Sequence, residues 1–143
     1  MDLIRNAKGF LFDLDGVFYQ SGKALPGAID TLDYLRQKNI PFRFLTNTTT
    51  KNRKTLQIKL SEIGLKCIEE EIISAGYVGI DFIRKMCSPS CRFFITDNLK
   101  KDYSEFEENP EKPEAIGIGD FDDWTSDLLN QAFQHVMNGA EII

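Results

Sequence analysis

Three things are scarce in this chain: histidine, cysteine and basic surplus. One histidine (His135) and three cysteines (Cys67, Cys87 and Cys91) supply just four candidate ligands, and they do not fall into the two close pairs of a usual structural zinc site. The spacing Cys87-Ser88-Pro89-Ser90-Cys91 supplies one half of such a site, and no second pair completes it. An odd, small cysteine count fits reduced thiols, which makes the cytoplasm the expected compartment. The net charge of -5 lacks the basic stripe of a general nucleic-acid binder. It leaves phosphate ligands open, because a local cation can reverse the field of one pocket. No apolar run approaches the ~18 residues of a membrane span, and residues 1–8 lack the apolar stretch of a secretion signal. No Gly-x-Gly-x-x-Gly or P-loop pattern follows the first apolar run, which weighs against a nucleotide-binding domain. No internal repeat or low-complexity tract is present.

What the chain has is enough apolar material for a core, 42% over 143 residues, and an orderly alternation of patterns. Residues 8–14 read as a buried strand ending in acids. Residues 18–23 read as a hairpin punctuated by Gly22. Pro26-Gly27 opens a helix to about residue 38, with Ile29, Leu32 and Leu35 on one stripe. Residues 41–45 form a continuous apolar strand, 46–50 a polar loop, and 51–63 a helix closed by Gly64. Strand-helix-strand-helix order predicts an α/β fold with a doubly wound parallel sheet and helices on both faces. Such sheets bind ligands at the carboxyl edge of their strands, where both polar loops fall.

The triplet Glu69-Glu70-Glu71 followed by Ser74-Ala75-Gly76 suggests a hinge, after which the alternation restarts. Helix 77–86, strand 92–96, a charged excursion over 100–113, strand 115–119 and helix 124–137 follow, with Gly139 as a stop. Ile142-Ile143 begins another apolar run.

Two elements carry chemistry. Asp13-Leu14-Asp15-Gly16-Val17 stands where Phe10-Leu11-Phe12 ends. Two carboxylates one residue apart, with Gly16 freeing the backbone, suit Mg²⁺ and a phosphoryl group. The simpler alternative is a strand end with solvated acids. The second element is Thr46-Asn47-Thr48-Thr49-Thr50, a hydroxyl and an amide ahead of a helix N-terminus, with Lys51, Arg53 and Lys54 nearby. The simpler alternative there is N-capping by Thr49 or Thr50.

Taken together, Phe12-Asp13-Leu14-Asp15-Gly16-Val17 and Phe44-Leu45-Thr46-Asn47-Thr48 resemble motifs one and two of the haloacid dehalogenase superfamily of phosphohydrolases. Leu25-Pro26-Gly27-Ala28, the run 53–64 and Leu128-Leu129-Asn130-Gln131-Ala132-Phe133 with Gly139-Ala140-Glu141-Ile142-Ile143 resemble the subclass with a large inserted cap. The closest resemblance is to its phospholysine/phosphohistidine/inorganic pyrophosphate phosphatase-like branch. The resemblance implies a Rossmann-like core over 1–73 and an α/β cap over 74–143, both partial. It implies that Asp13 is the nucleophile and a Mg²⁺ ligand. Asp15 is then general acid and base, its backbone carbonyl also binding Mg²⁺. Leu14, Thr46, Asn47 and Thr48 would hold the phosphoryl group of a small phosphorylated substrate, with no nucleic acid or membrane as partner.

The family also uses a lysine and a Gly-Asp-acid motif. Lys112-Pro113 and Gly119-Asp120 with Asp122 and Asp123 imitate them, but the family places a helix and a strand between the two. Residues 113–118 hold only one short element at ~1.5 Å or ~3.3 Å of rise per residue. The expectation is the first half of a phosphatase, inactive alone, or else a non-catalytic or self-associating module. Self-association would follow from an unpaired sheet edge and an uncovered apolar face. Tyr103, Phe121 and Trp124 could line a site but are more often core or surface aromatics, and His135 is expected to pack or lie at the surface rather than take part in catalysis.

Overall fold

A computed structural model describes residues 6–86 and 89–143. Cys87 lies outside them, so the Cys87/Cys91 spacing has no structural counterpart here. The chain groups into two compact units. The first holds the residues through Thr46 together with Arg53–Ser74; the second holds Asn47–Asn52 and Ala75–Ile143.

In the first unit, β1 (Phe10–Asp13), β4 (Phe42–Thr46) and β5 (Ile72–Ser74) form a parallel sheet in the order β1-β4-β5. The hairpin β2 (Tyr19–Gln20) and β3 (Lys23–Ala24) stands apart from it. Ser21 and Gly22 both adopt positive φ at the hairpin tip, at 49° and 74°. That is the geometry two-residue hairpin turns favour. Register pairs Phe10 with Phe42 and Phe12 with Phe44. These rings therefore share one face, where Leu14, Phe18 and helices α1 (Ala28–Gln37) and α2 (Arg53–Glu62) complete the core. Both helices of this unit thus pack on the same face, and Leu11 on the opposite face is 66% exposed. Gly64 follows α2 at φ 87°, the left-handed conformation that ends helices.

The acid triplet is regular structure, and the boundary between the two units falls just after it, at Ser74/Ala75. Glu69–Glu71 forms a 3₁₀ turn and residues 72–74 are strand β5. Glu71 is buried and takes both guanidinium nitrogens of Arg36, at 3.0 and 2.8 Å. Arg36 also donates to the Lys66 carbonyl at 2.9 Å and lies over the Phe42 ring. Burying this carboxylate is tolerable because it is paired on both oxygens and also accepts the Ile68 N–H. A strand of three residues offers too little periodicity to be read from sequence.

Beside this pair, Cys67 is buried. Burial, and then the charge of Glu71, push its thiol up to about 11, against the opposing effect of Arg36. The folded state therefore favours the neutral thiol. Its contribution is intact below the ordinary value of 9.0 and is lost as pH rises towards 11. The urea midpoint should fall over that window, and Cys67→Ala should flatten the slope. An equal slope in the variant would assign the alkaline loss to other groups.

The second unit is wound on both faces. Strands β6 (Cys91–Phe94), β7 (Ala115–Ile118) and β8 (Glu141–Ile142) are parallel, in that order. Cys91, Phe93 and Ala115 face α3 (Ala75–Lys85) through Ile80 and Ile83. Phe94 and Ile116 face α5 (Ser126–Met137), where Trp124 stacks on Phe94 at 5.4 Å. Between β6 and the charged excursion stands a short helix, α4 (Asp97–Lys100), N-capped by Thr96. Of the residues left open between core and surface, Tyr103 and His135 are buried and Trp124 is half-buried. Among the described residues no helix is long and apolar enough to cross a membrane.

Candidate active site

The carboxyl edge of the first unit's sheet carries Asp13, the last residue of β1, and Thr46, the last of β4. Asp13 is in register with Leu45, so the two strand ends are adjacent. Asp13 is exposed, and its Oδ1 accepts the Leu14 N–H at 2.8 Å. Thr46 is buried on the core face.

Beyond β1 the backbone leaves the pleat at once. The Leu14 carbonyl accepts the N–H groups of Val17, Phe18 and Tyr19, at 3.3, 3.0 and 3.3 Å. Gly16, at φ 75°, permits the turn, and its N–H donates to the Tyr19 carbonyl at 2.8 Å. The Leu14 side chain anchors the turn in the core at 1% exposure. What Leu14 offers a ligand is therefore backbone. Asp15 is exposed, and its Oδ2 accepts the Tyr19 hydroxyl at 3.2 Å. The phenol is held protonated above its ordinary range. Burial contributes most, followed by the Asp15 charge, the hydrogen bond to Asp15 and the Asp13 charge. Sequence reading placed Tyr19 in a hairpin but gave it no part in the site. Its one signal was a hydroxyl four residues after Asp15, across a glycine turn.

Asn47 and Thr48 follow Thr46 directly but group with the second unit. Thr49 is not a helix cap: its hydroxyl accepts the Asp120 N–H at 2.7 Å. The Thr50 carbonyl accepts the Thr96 hydroxyl, and the Asn52 N–H reaches Asn98 Oδ1 at 2.8 Å. These bonds fasten Asn47–Asn52 to strand ends of the second unit. Of the nearby cations, Lys54 pairs with Glu69 at 3.4 Å.

Two exposed carboxylates at one strand end fit Mg²⁺ in kind. It takes hard oxygen ligands, retains several waters, and is often held by one or two carboxylates plus a phosphate. Among the described residues no three His, Cys, Asp or Glu side chains cluster to hold a metal by themselves. Lys112 sits exposed in a turn, its N–H donating to Asn109 Oδ1. Asp120 is exposed just beyond β7.

Comparison with known proteins identifies the family. The haloacid dehalogenase-like hydrolase family model matches residues 10–107. The chain belongs to that family. It is 36% identical over 87 residues to phosphoglycolate phosphatase 1A of Arabidopsis thaliana, covering 61% of this chain and 24% of that protein. It is 26% identical over 145 residues to acid sugar phosphatase of Staphylococcus saprophyticus, covering 98% of this chain and 56% of that protein. Its fold matches 4-nitrophenylphosphatase of Thermotoga maritima with a TM-score of 0.87 at 23% identity, over 94% of this chain and 53% of that one. The chain thus spans from about a quarter to just over half the length of these relatives.

Proposed function

We propose that this chain carries the nucleophile half of a Mg²⁺-dependent phosphatase that works through a phosphoaspartyl intermediate on small phosphorylated substrates. The observation that carries the reading is the pair Asp13 and Asp15 at the carboxyl edge of a parallel sheet, with Thr46 ending the adjacent strand. An Asp13 oxygen attacks phosphorus while Asp15 gives a proton to the departing oxygen. Asp15 then takes a proton from the water that opens the aspartyl phosphate. Thr46, Asn47 and Thr48, with backbone N–H groups near Leu14, would orient the phosphoryl oxygens. The Asp13 carboxylate and the Asp15 carbonyl would hold Mg²⁺, whose chemistry is to neutralise charge between two anions. The first unit serves as part of the hydrolase core and the second as part of the cap. The cytoplasm suits the buried, unpaired thiols of Cys67 and Cys91.

On this reading the lysine and closing acids of the family pattern have no counterpart among the described residues. The 143-residue chain alone is therefore expected to turn over little substrate. The test is 4-nitrophenyl phosphate hydrolysis, with Mg²⁺ or with EDTA, by the full-length gene product and by this chain. Mg²⁺-dependent hydrolysis by the gene product supports the reading, and its absence overturns it. Robust hydrolysis by the 143 residues would instead return Lys112 and Asp120 to the active site.

A further inference from the structure

We infer that Tyr19 is the positioning residue for Asp15, fixing which carboxyl oxygen faces the substrate. The inference rests on the phosphatase reading for its chemical meaning, but its geometry stands independently. Residues 15 and 19 are bound to each other twice. The backbone joins them by a bridge, with the Gly16 N–H on the Tyr19 carbonyl. The side chains join through the phenol hydroxyl and Asp15 Oδ2 at 3.2 Å.

Neither partner is loosely placed. Tyr19 pairs with Ala24 across the hairpin and packs on the core beside Phe18, which is 3% exposed. Three N–H groups on one carbonyl, that of Leu14, close the turn beneath it. An exposed Asp in a glycine turn would otherwise sample several χ1 rotamers, and catalysis needs one.

A carboxyl group has two oxygens, and only one can carry the proton destined for the leaving group. Tyr19 donates to Oδ2, and among the described residues no side chain donates to Oδ1. The phenol can keep donating to Oδ2 whether Asp15 is ionised or protonated. Proton traffic then runs through Oδ1. In the first step the Oδ1–H proton passes to the leaving oxygen. The P–O bond breaks with its electron pair on that oxygen, and phosphorus bonds to Asp13. In the second step water gives a proton to Oδ1, its oxygen bonds to phosphorus, and the aspartyl bond breaks. Tyr19 exchanges no proton in either step.

The blander alternative is an aromatic ring that packs and happens to meet a carboxylate. Tyr19→Phe separates the two, because it keeps the ring and deletes only the hydroxyl. On the 143-residue chain, NMR of the Asp15 Hα–Hβ couplings reads the rotamer directly. The expected result is one rotamer in the parent and averaging in Tyr19→Phe, with Asp13 couplings and amide dispersion unchanged. Unchanged Asp15 couplings would overturn the inference.

On the full-length gene product, a structural role would lower all substrates alike. A positioning role should instead follow leaving-group demand, since 4-nitrophenolate departs with little protonation and an alkoxide does not. We expect Tyr19→Phe to lower kcat for an alkyl phosphate about 10-fold or more, within the usual span of acid catalysis, and to change 4-nitrophenyl phosphate less than ~3-fold. Equal losses, or none, would overturn it. Hydrolysis of neither ester by the parent would defeat the phosphatase reading instead, and the couplings would still decide the role of Tyr19.

Discussion

Asp13→Asn is expected to abolish hydrolysis of 4-nitrophenyl phosphate by the full-length gene product. The fall should be at least ~10³-fold, equivalent to about 4 kcal/mol of transition-state stabilisation. An amide is a poor nucleophile towards phosphorus, and the substitution removes a negative charge from the proposed metal-binding oxygen. The fold should survive, for two local reasons. Asp13 is exposed at the last position of β1, and an amide oxygen can still accept the Leu14 N–H that Oδ1 now accepts at 2.8 Å. Loss of activity with an unchanged urea midpoint is the expected pair of results. Retained turnover would remove Asp13 from the nucleophile's role. Asp15→Asn gives a useful contrast. It should slow opening of the aspartyl phosphate more than its formation from a substrate with a good leaving group. Phosphoenzyme should then accumulate in Asp15→Asn and never form in Asp13→Asn.

Phe44→Ala is the substitution expected to cost most in stability, about 3–5 kcal/mol. Phe44 lies on β4, the middle strand of its sheet, with no exposed surface. Its ring meets Phe18 edge-on at 5.2 Å and Phe42 at 5.4 Å. Truncation therefore opens a cavity lined by rings that cannot collapse without moving the hairpin turn. A loss of this size is a large part of the ~5–15 kcal/mol by which such domains are stable. The neighbouring residue supplies the control. Leu45 points to the opposite face and is 39% exposed, so Leu45→Ala should cost under about 1 kcal/mol. Comparable urea midpoints for the two variants would mean that the sheet's faces are assigned the wrong way round.

Where the signal was strong, local sequence was a good guide. The helix expected from Pro26-Gly27 to about residue 38 forms over Ala28–Gln37, because Leu32 and Leu35 recur at helical spacing and Gly27 precedes it. The short apolar start at Ile142 is indeed a strand, paired with β7. Weak signals failed for physical reasons. β5 has three residues, fewer than any periodicity needs, and the acids before it read as part of a hinge. Glu71 is buried because Arg36, 35 positions away in sequence, meets both its oxygens. Thr49 resembled a helix cap, yet its hydroxyl serves Asp120, 71 positions away. No local rule can anticipate a partner that distant.

For the site, the sequence alone determined the chemistry on offer. Two acids one residue apart, a glycine to turn the backbone, and a hydroxyl-amide loop after a second strand suit a metal and a phosphate, and the resemblance to a phosphohydrolase family points to that use. Cysteine spacing weighed against a zinc-finger site, and the net charge of -5 against a basic nucleic-acid surface. Only the tertiary structure decided the arrangement. Parallel register sets the ends of β1 and β4 side by side. Three N–H groups converging on the Leu14 carbonyl fold the hairpin back so that a tyrosine reaches Asp15. Hydrogen bonds to strand ends of the second unit take hold of Asn47–Asn52 immediately beyond Thr46. The reason is general: residue type fixes what an atom can do, but which atoms meet is set by backbone pairing and burial over distances the local pattern does not encode.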